Sequence, residues 1–229
     1  MWLRISGDVK AEFPDLDVRL AVIYGVNVRE RDDSPDLIST LESVVQQVRR
    51  SYRLEDLKDV ELVRYYRDFF WRIGLDPTKT RPSAEALLRR ILQGKPFPRV
   101  NTLVDAYNIA SVLTLIPVAA FDLDLLGDSL TMRWSRPGET FMGIGMDNPY
   151  HLTGRELVVE DGEKLIAIYP YRDADSTKVT WKTVNTLIMV CGAPRVNAEV
   201  LDKASETVIE YVTRFCGGKV VRGCSQNGL

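Results

Sequence analysis

Apolar residues along this chain follow two different rhythms, and the change between them divides it. Val18–Val28 is a β-branched run that predicts a strand buried on one or both faces. Ser34-Pro35-Asp36 supplies a cap, a first-turn proline and an acid at the positive helix end. Leu37, Leu41, Val44, Val45 and Val48 follow at helical spacing. A second helix is predicted from about Glu55 to Ile73, with Gly74 as its stop. The loop GLDPTKTRP carries two prolines and leads into a third helix that Gly94 ends. A fourth begins at Asn101 and stops at Pro117. From Val118 to Val190 short apolar stretches alternate with turns such as Pro137-Gly138 and Asp161-Gly162, which predicts an antiparallel meander. Asn197 caps a closing helix reaching about Phe215, and the tail after Gly217-Gly218 is expected to fray. Helices early, strands late and one closing helix give α+β with a mainly antiparallel sheet.

No Gly/Ser linker or proline-rich break interrupts the pattern, so residues 1–229 are expected to form a single domain. Residues 1–66 complete the core, 67–186 form a middle region, and 187–229 supply a closing strand, helix and tail. With 45% hydrophobic and 27% charged residues the composition is that of an ordinary globular chain. No apolar run approaches a membrane span, and MWLRISGDVK lacks the apolar stretch of a signal peptide. A cytoplasmic protein without membrane contact is expected. Cys191, Cys216 and Cys224 are then reduced and act as small apolar fillers.

Chemistry enters chiefly by exclusion. One histidine and no Cys-x-x-Cys argue against a zinc site, and no cofactor motif is present. His151 lies in the turn-rich stretch DNPYHLTG without a G-x-S-x-G elbow, and reads as a surface residue. GIG at 143–145 is only a fragment of a dinucleotide-binding motif. Between Asp76 and Arg99, however, six bases face two acids, inside a chain of net charge −2. Lys79, Arg81, Arg89 and Arg90 are therefore candidate RNA-phosphate contacts, with a solvated helix face and an Arg89–Glu85 pair as the plainer alternative.

Asp105, Asn108 and Ser111 recur every third residue on an otherwise apolar helix. They suit either a pocket wall or a helix that uses Asp105 against its dipole and binds the other two to nearby backbone. Arg172, Asp173, Asp175, Ser176 and Thr177 read as a turn, or as a device placing an arginine and a carboxylate in a cleft. Asp105, Asn108, Arg172 and Asp173 form the candidate pocket, with no catalytic residue assigned.

The segments RPSAEALLRR (81–90), NTLVDAYN (101–108) and PVAAFD (117–122), in this order, resemble the tRNA-editing module of the phenylalanyl-tRNA synthetase beta subunit, the B3/4 domain. The stretch from Gly74 to about Thr183 resembles the free-standing prokaryotic proteins that carry this module without a synthetase. The resemblance implies the α+β editing-domain fold and a cleft that holds the aminoacyl end of a mischarged tRNA. It further implies hydrolysis of the ester in trans, which rests on an excluded cognate side chain, a positioned water and oxyanion donors. Ala119 stands where the bacterial module has a pocket histidine. The competing expectation is a non-catalytic module binding a small amino-acid-like ligand or a protein partner through the same cleft. A complete synthetase is not expected in either case.

Overall fold

The computed structural model describes residues 2–222. The chain begins with β1 (Leu3–Ile5), α1 (Gly7–Glu12) and β2 (Val18–Tyr24), followed by α2 (Pro35–Ser51), α3 (Glu61–Arg72), α4 (Ser83–Leu92) and α5 (Thr102–Thr114). Next come β3 (Val118–Asp122), β4 (Leu130–Trp134), the short β5 (Thr140–Phe141) and β6 (Tyr150–His151), then β7 (Leu157–Glu160), β8 (Leu165–Ile168) and β9 (Arg172–Asp173). β10 (Asn185–Cys191), α6 (Ala198–Cys216) and β11 (Lys219–Arg222) close it.

The helices start where their caps predict. Ser34 accepts the Leu37 N–H at 3.4 Å, Asn101 accepts from Val104 at 2.9 Å, and Asn197 accepts from Val200 at 2.9 Å. The helix expected from Glu55 is interrupted. Asp56–Asp59 form a 3-10 turn, and Val60 takes an extended conformation before α3 starts. The spacing Leu57, Val60, Val63 suits a three-residue turn as well as an α-helix, so periodicity could not separate them.

The expected meander is also divided. β4, β7, β8 and β9 run antiparallel in one sheet, to which β1 adds a parallel edge strand through Leu3 and Leu130. β3 and β10 belong to a second, wholly antiparallel sheet of order β11-β2-β10-β3. β10 sits inside it because all seven of its residues find partners on β2 and five also pair with β3. Residues 219–222 do not fray: they form β11, paired with β2 from Tyr24 to Ala21. The rest of the tail, with Cys224, lies outside the described residues.

α5 and α6 pack on one another and against the β11-β2-β10-β3 sheet. Ile188, Ala106, Ile109, Leu201, Ala204, Val208 and Val212 lie in the core between these elements, each almost fully buried. A fully buried aliphatic of this kind contributes about 1.5–3 kcal/mol. The two sheets approach where β3 nears β9, and there a hollow opens. Its underside is fixed by two buried phenols: Tyr66 donates to the Cys191 carbonyl at 2.6 Å and Tyr169 to that of Gly192 at 2.7 Å.

Three buried carboxylates, Asp32, Glu156 and Asp161, are expected to contribute to acid sensitivity. Burial raises the pKa of Asp32, Glu156 and Asp161, but donors outweigh it and hold each below its ordinary range. Those donors are Ser34 and Arg29 for Asp32, Ser135 and Thr153 for Glu156, and Lys164, Glu163 and Gly127 for Asp161. Their stabilisation is complete above the ordinary carboxylate values and is lost as pH falls through the lower folded ones. The urea midpoint should therefore drop steeply only below about pH 4. Glu156→Gln should shrink that drop.

Candidate functional site

The hollow has a volume of about 170 Å³. An engineered cavity of about 150 Å³ accepts benzene, so a group of that size fits here. Its apolar lining includes Ala119 from β3, Ile168 from β8, and Met189 and Cys191 from β10. Polar groups reach it from three other places: Ser83 at the start of α4, Asn108 on α5, and Arg172 and Asp173 on β9. Asn108, Arg172 and Asp173 are thus brought together from positions about sixty residues apart.

β9 is only two residues long, but it is held from both sides. Arg172 and Asp173 pair with Ile168 and Ala167 across a turn containing the cis Tyr169–Pro170 peptide. On the other side the Asp173 carbonyl accepts the Ile144 N–H at 3.0 Å. The Arg172 guanidinium donates to the Ile144 carbonyl at 2.7 Å and to the Tyr171 hydroxyl at 3.2 Å, and lies 5.0 Å from the centre of the Tyr171 ring. Gly143 makes that path available, since a Cβ there would come within 2.4 Å of the Arg172 Cδ. The GIG fragment therefore seats an arginine.

The Asp173 carboxyl is different. It makes no side-chain hydrogen bond or ion pair with any described residue, and burial pushes its pKa up to about 7. Burial also raises the Tyr107 phenol and the Cys191 thiol, and the nearby Asp173 charge adds to both. Near neutral pH the hollow therefore contains an ionisable carboxyl beside a neutral phenol and a neutral thiol. Sequence reasoning missed Tyr107 and Cys191 because both read as helix and strand core residues.

Asp105, expected in the pocket, does not line it. It is 1% exposed, accepts from Arg99 Nε at 2.6 Å and from the Val100 N–H at 2.9 Å, and so ties the segment before α5 to its first turn. Ser111 donates to the Ile116 carbonyl at 2.7 Å, the local backbone use that was the alternative to a pocket. His151 lies exposed on β6.

A groove of about 570 Å³ adjoins the hollow, and Ser83 and Asn108 line both. Lys79, Arg81, Arg89, Arg90 and Lys95 line its remainder. They are not equally available. Arg89 donates to Glu85 at 2.6 Å, and Arg67 clasps the same carboxylate with two bonds of 2.9 Å. Arg90 donates to the Pro96 carbonyl at 2.6 Å. Lys79 is exposed, with Asp76 3.8 Å away. Arg81 and Lys95 are exposed and have no partner among the described residues. The start of α4, where Ser83 lines the groove, also lacks a side-chain cap.

A third concavity, of about 450 Å³, shares Ile168, Tyr171 and Arg172 with the hollow and has Tyr150 and Arg155 among its lining residues. Among the described residues no group of three or more His, Cys, Asp or Glu side chains could hold a metal ion, and no helix is long and apolar enough to cross a membrane.

The structure is thus an α+β domain with a small, partly polar hollow beside a groove lined by cations. The chain belongs to the B3/4 domain family, whose pattern matches residues 65–217. It is 31% identical over 108 residues to the phenylalanine–tRNA ligase beta subunit of Geobacter metallireducens, a match covering 47% of this chain and 13% of that protein. Its fold is similar to that of an N-terminal fragment of the phenylalanyl-tRNA synthetase beta subunit from Pyrococcus horikoshii. The TM-score is 0.50 at 12% identity, over 99% of this chain and 54% of that one. The chain thus spans a small part of the ligase subunit and about half of the solved fragment.

Proposed function

We propose that this protein binds the aminoacyl end of a tRNA in trans, with backbone phosphates along the groove and the aminoacyl group in the hollow. The observation that carries the reading is the continuity of the two concavities through Ser83 and Asn108. An aminoacyl-tRNA end has the same composition: a polyanionic strand, a ribose with hydroxyls to be hydrogen-bonded, and a compact side chain. Membership of a family shared with a tRNA ligase subunit supports the same assignment.

Hydrolysis of the ester is the finer form of this reading, with Asn108 positioning a water near the carbonyl. One observation favours binding without hydrolysis, to a charged tRNA or to a small amino-acid-like ligand. Ala119 offers the hollow a methyl group where the resemblance places a histidine.

Binding is tested by titrating labelled tRNA at several salt concentrations. Lys79→Glu/Arg81→Glu should weaken it at least about tenfold and flatten the dependence of log K on log salt by about 1.5, for two lost phosphate contacts. Unchanged affinity and slope would remove RNA from the assignment. Incubation with a panel of mischarged tRNAs then separates the two forms. Amino acid released faster than in buffer supports hydrolysis, and binding with no release leaves the non-catalytic form.

A further inference from the structure

We propose that Asp173 recognises a free ammonium group on the ligand, so that the hollow accepts aminoacyl esters with an unmodified α-amino group and rejects N-acylated ones. This deepens the reading above and rests on it for the identity of the ester.

The reason is an imbalance inside the hollow. A carboxylate in partly apolar surroundings is costly unless a cation or hydrogen-bond donors meet it. Buried carboxylates elsewhere in the fold are met in this way: Asp105 by Arg99 and Val100, Glu85 by Arg67 and Arg89, and Glu156 by Ser135 and Thr153. Asp173 is not, although Arg172 is its neighbour on the same strand. That guanidinium is held on the Ile144 carbonyl and the Tyr171 hydroxyl instead. From α5 Asp173 faces the Tyr107 phenol, and from β10 the Cys191 thiol, both neutral near pH 7. Ala119 of β3 adds no charge, and Ser83 of α4 adds only a hydroxyl. An ammonium on the ligand would supply that counter-charge.

The surrounding charges sort the two ends of such a ligand. Arg81, Lys79 and Lys95 line the groove beside the hollow and attract phosphate, whereas the carboxyl lies in the hollow itself. An aminoacyl ester carries its positive charge one bond from the carbon bearing the ester carbonyl. Fixing that ammonium at Asp173 would therefore set the side chain against Ala119, Ile168 and Met189 and turn the ester toward the mouth. An N-acyl group would leave the carboxylate without a partner and add bulk to a cavity of about 170 Å³. The carboxyl's elevated pKa adds a pH signature: affinity for an ammonium rises as Asp173 ionises near pH 7 and falls once the amine loses its proton at about 8.

The test uses the intact wild-type protein and four small probes, alanine and leucine methyl esters and their N-acetyl forms, with affinities from NMR titration. The free esters should bind about ten- to a hundredfold more tightly than the acetylated ones, the range of one charge-assisted hydrogen bond. Asp173→Asn should erase that gap. Equal affinity for free and acetylated esters, or no binding of either, overturns the inference. Deacylated tRNA titrated in parallel keeps it separable from the RNA reading. Ester preference without tRNA binding sinks only the latter, and tRNA binding without ester preference sinks only the former.

Discussion

Asp173→Asn is expected to make the protein more stable at pH 8 than the wild type. The folded state raises this carboxyl from 3.8 to about 7, so folding takes up a proton across that interval and wild-type stability declines as pH rises through it. A displacement of this size corresponds to about 4 kcal/mol. The carboxyl borders an open hollow and keeps some access to water, so the realised gain is expected nearer about 2 kcal/mol. The advantage should be small near pH 4, grow through pH 5 and 6, and level off above about pH 7. Urea unfolding of both proteins across this range measures it. A difference that does not vary with pH would mean that the carboxyl is fully hydrated in the native state. A carboxyl that costs the empty protein stability is consistent with the ligand-binding role proposed above.

The opposite effect is expected at Asp105. Asp105→Ala removes the partner of Arg99 and the acceptor of the Val100 N–H from a site only 1% exposed. Losing one member of a buried ion pair costs about 3–5 kcal/mol. Because Arg99 is 23% exposed and can recover some hydration, about 3 kcal/mol is the expected loss. Asp105→Asn keeps an acceptor for the amide and should lose about half as much. Calorimetric or urea unfolding of the pair checks both values. If Asp105→Ala unfolds like the wild type, the segment before α5 is held by something other than this clasp. Two acids on neighbouring elements thus carry opposite signs: one is spent on architecture, the other is left open.

That division is also where the sequence stopped being informative. The caps at Ser34, Asn101 and Asn197 are local chemistry, and they gave the starts of three helices. The strands at Leu130 and Leu165 were readable as apolar runs bounded by turns. β1 and β11 were not, because three or four residues contain too little alternation and their strand character comes from pairing with β4 and β2. In the site, Asn108 and Asp173 were named from residue type and do line one hollow. Asp105 shares a helix with Asn108, but three residues rotate a side chain by about 60° from exact alignment. This offset directs it to Arg99 rather than to the cavity. Arg89 was a candidate phosphate contact, yet the choice of partner for Glu85 also involves Arg67, on another helix and eighteen residues earlier. Which charges remain free is a property of the packed molecule.

The walls of the hollow come from α4 and α5, from β3, from the β8–β9 turn and from β10, elements spread over more than a hundred positions. No short segment holds all of these walls, so a ligand of the hollow should bind the folded chain and not the unfolded one. Occupancy is then thermodynamically linked to global unfolding: a ligand at a hundred times its dissociation constant would add about 2.7 kcal/mol. A compound that fills the hollow should therefore raise the melting temperature, a readout that needs no assay of turnover.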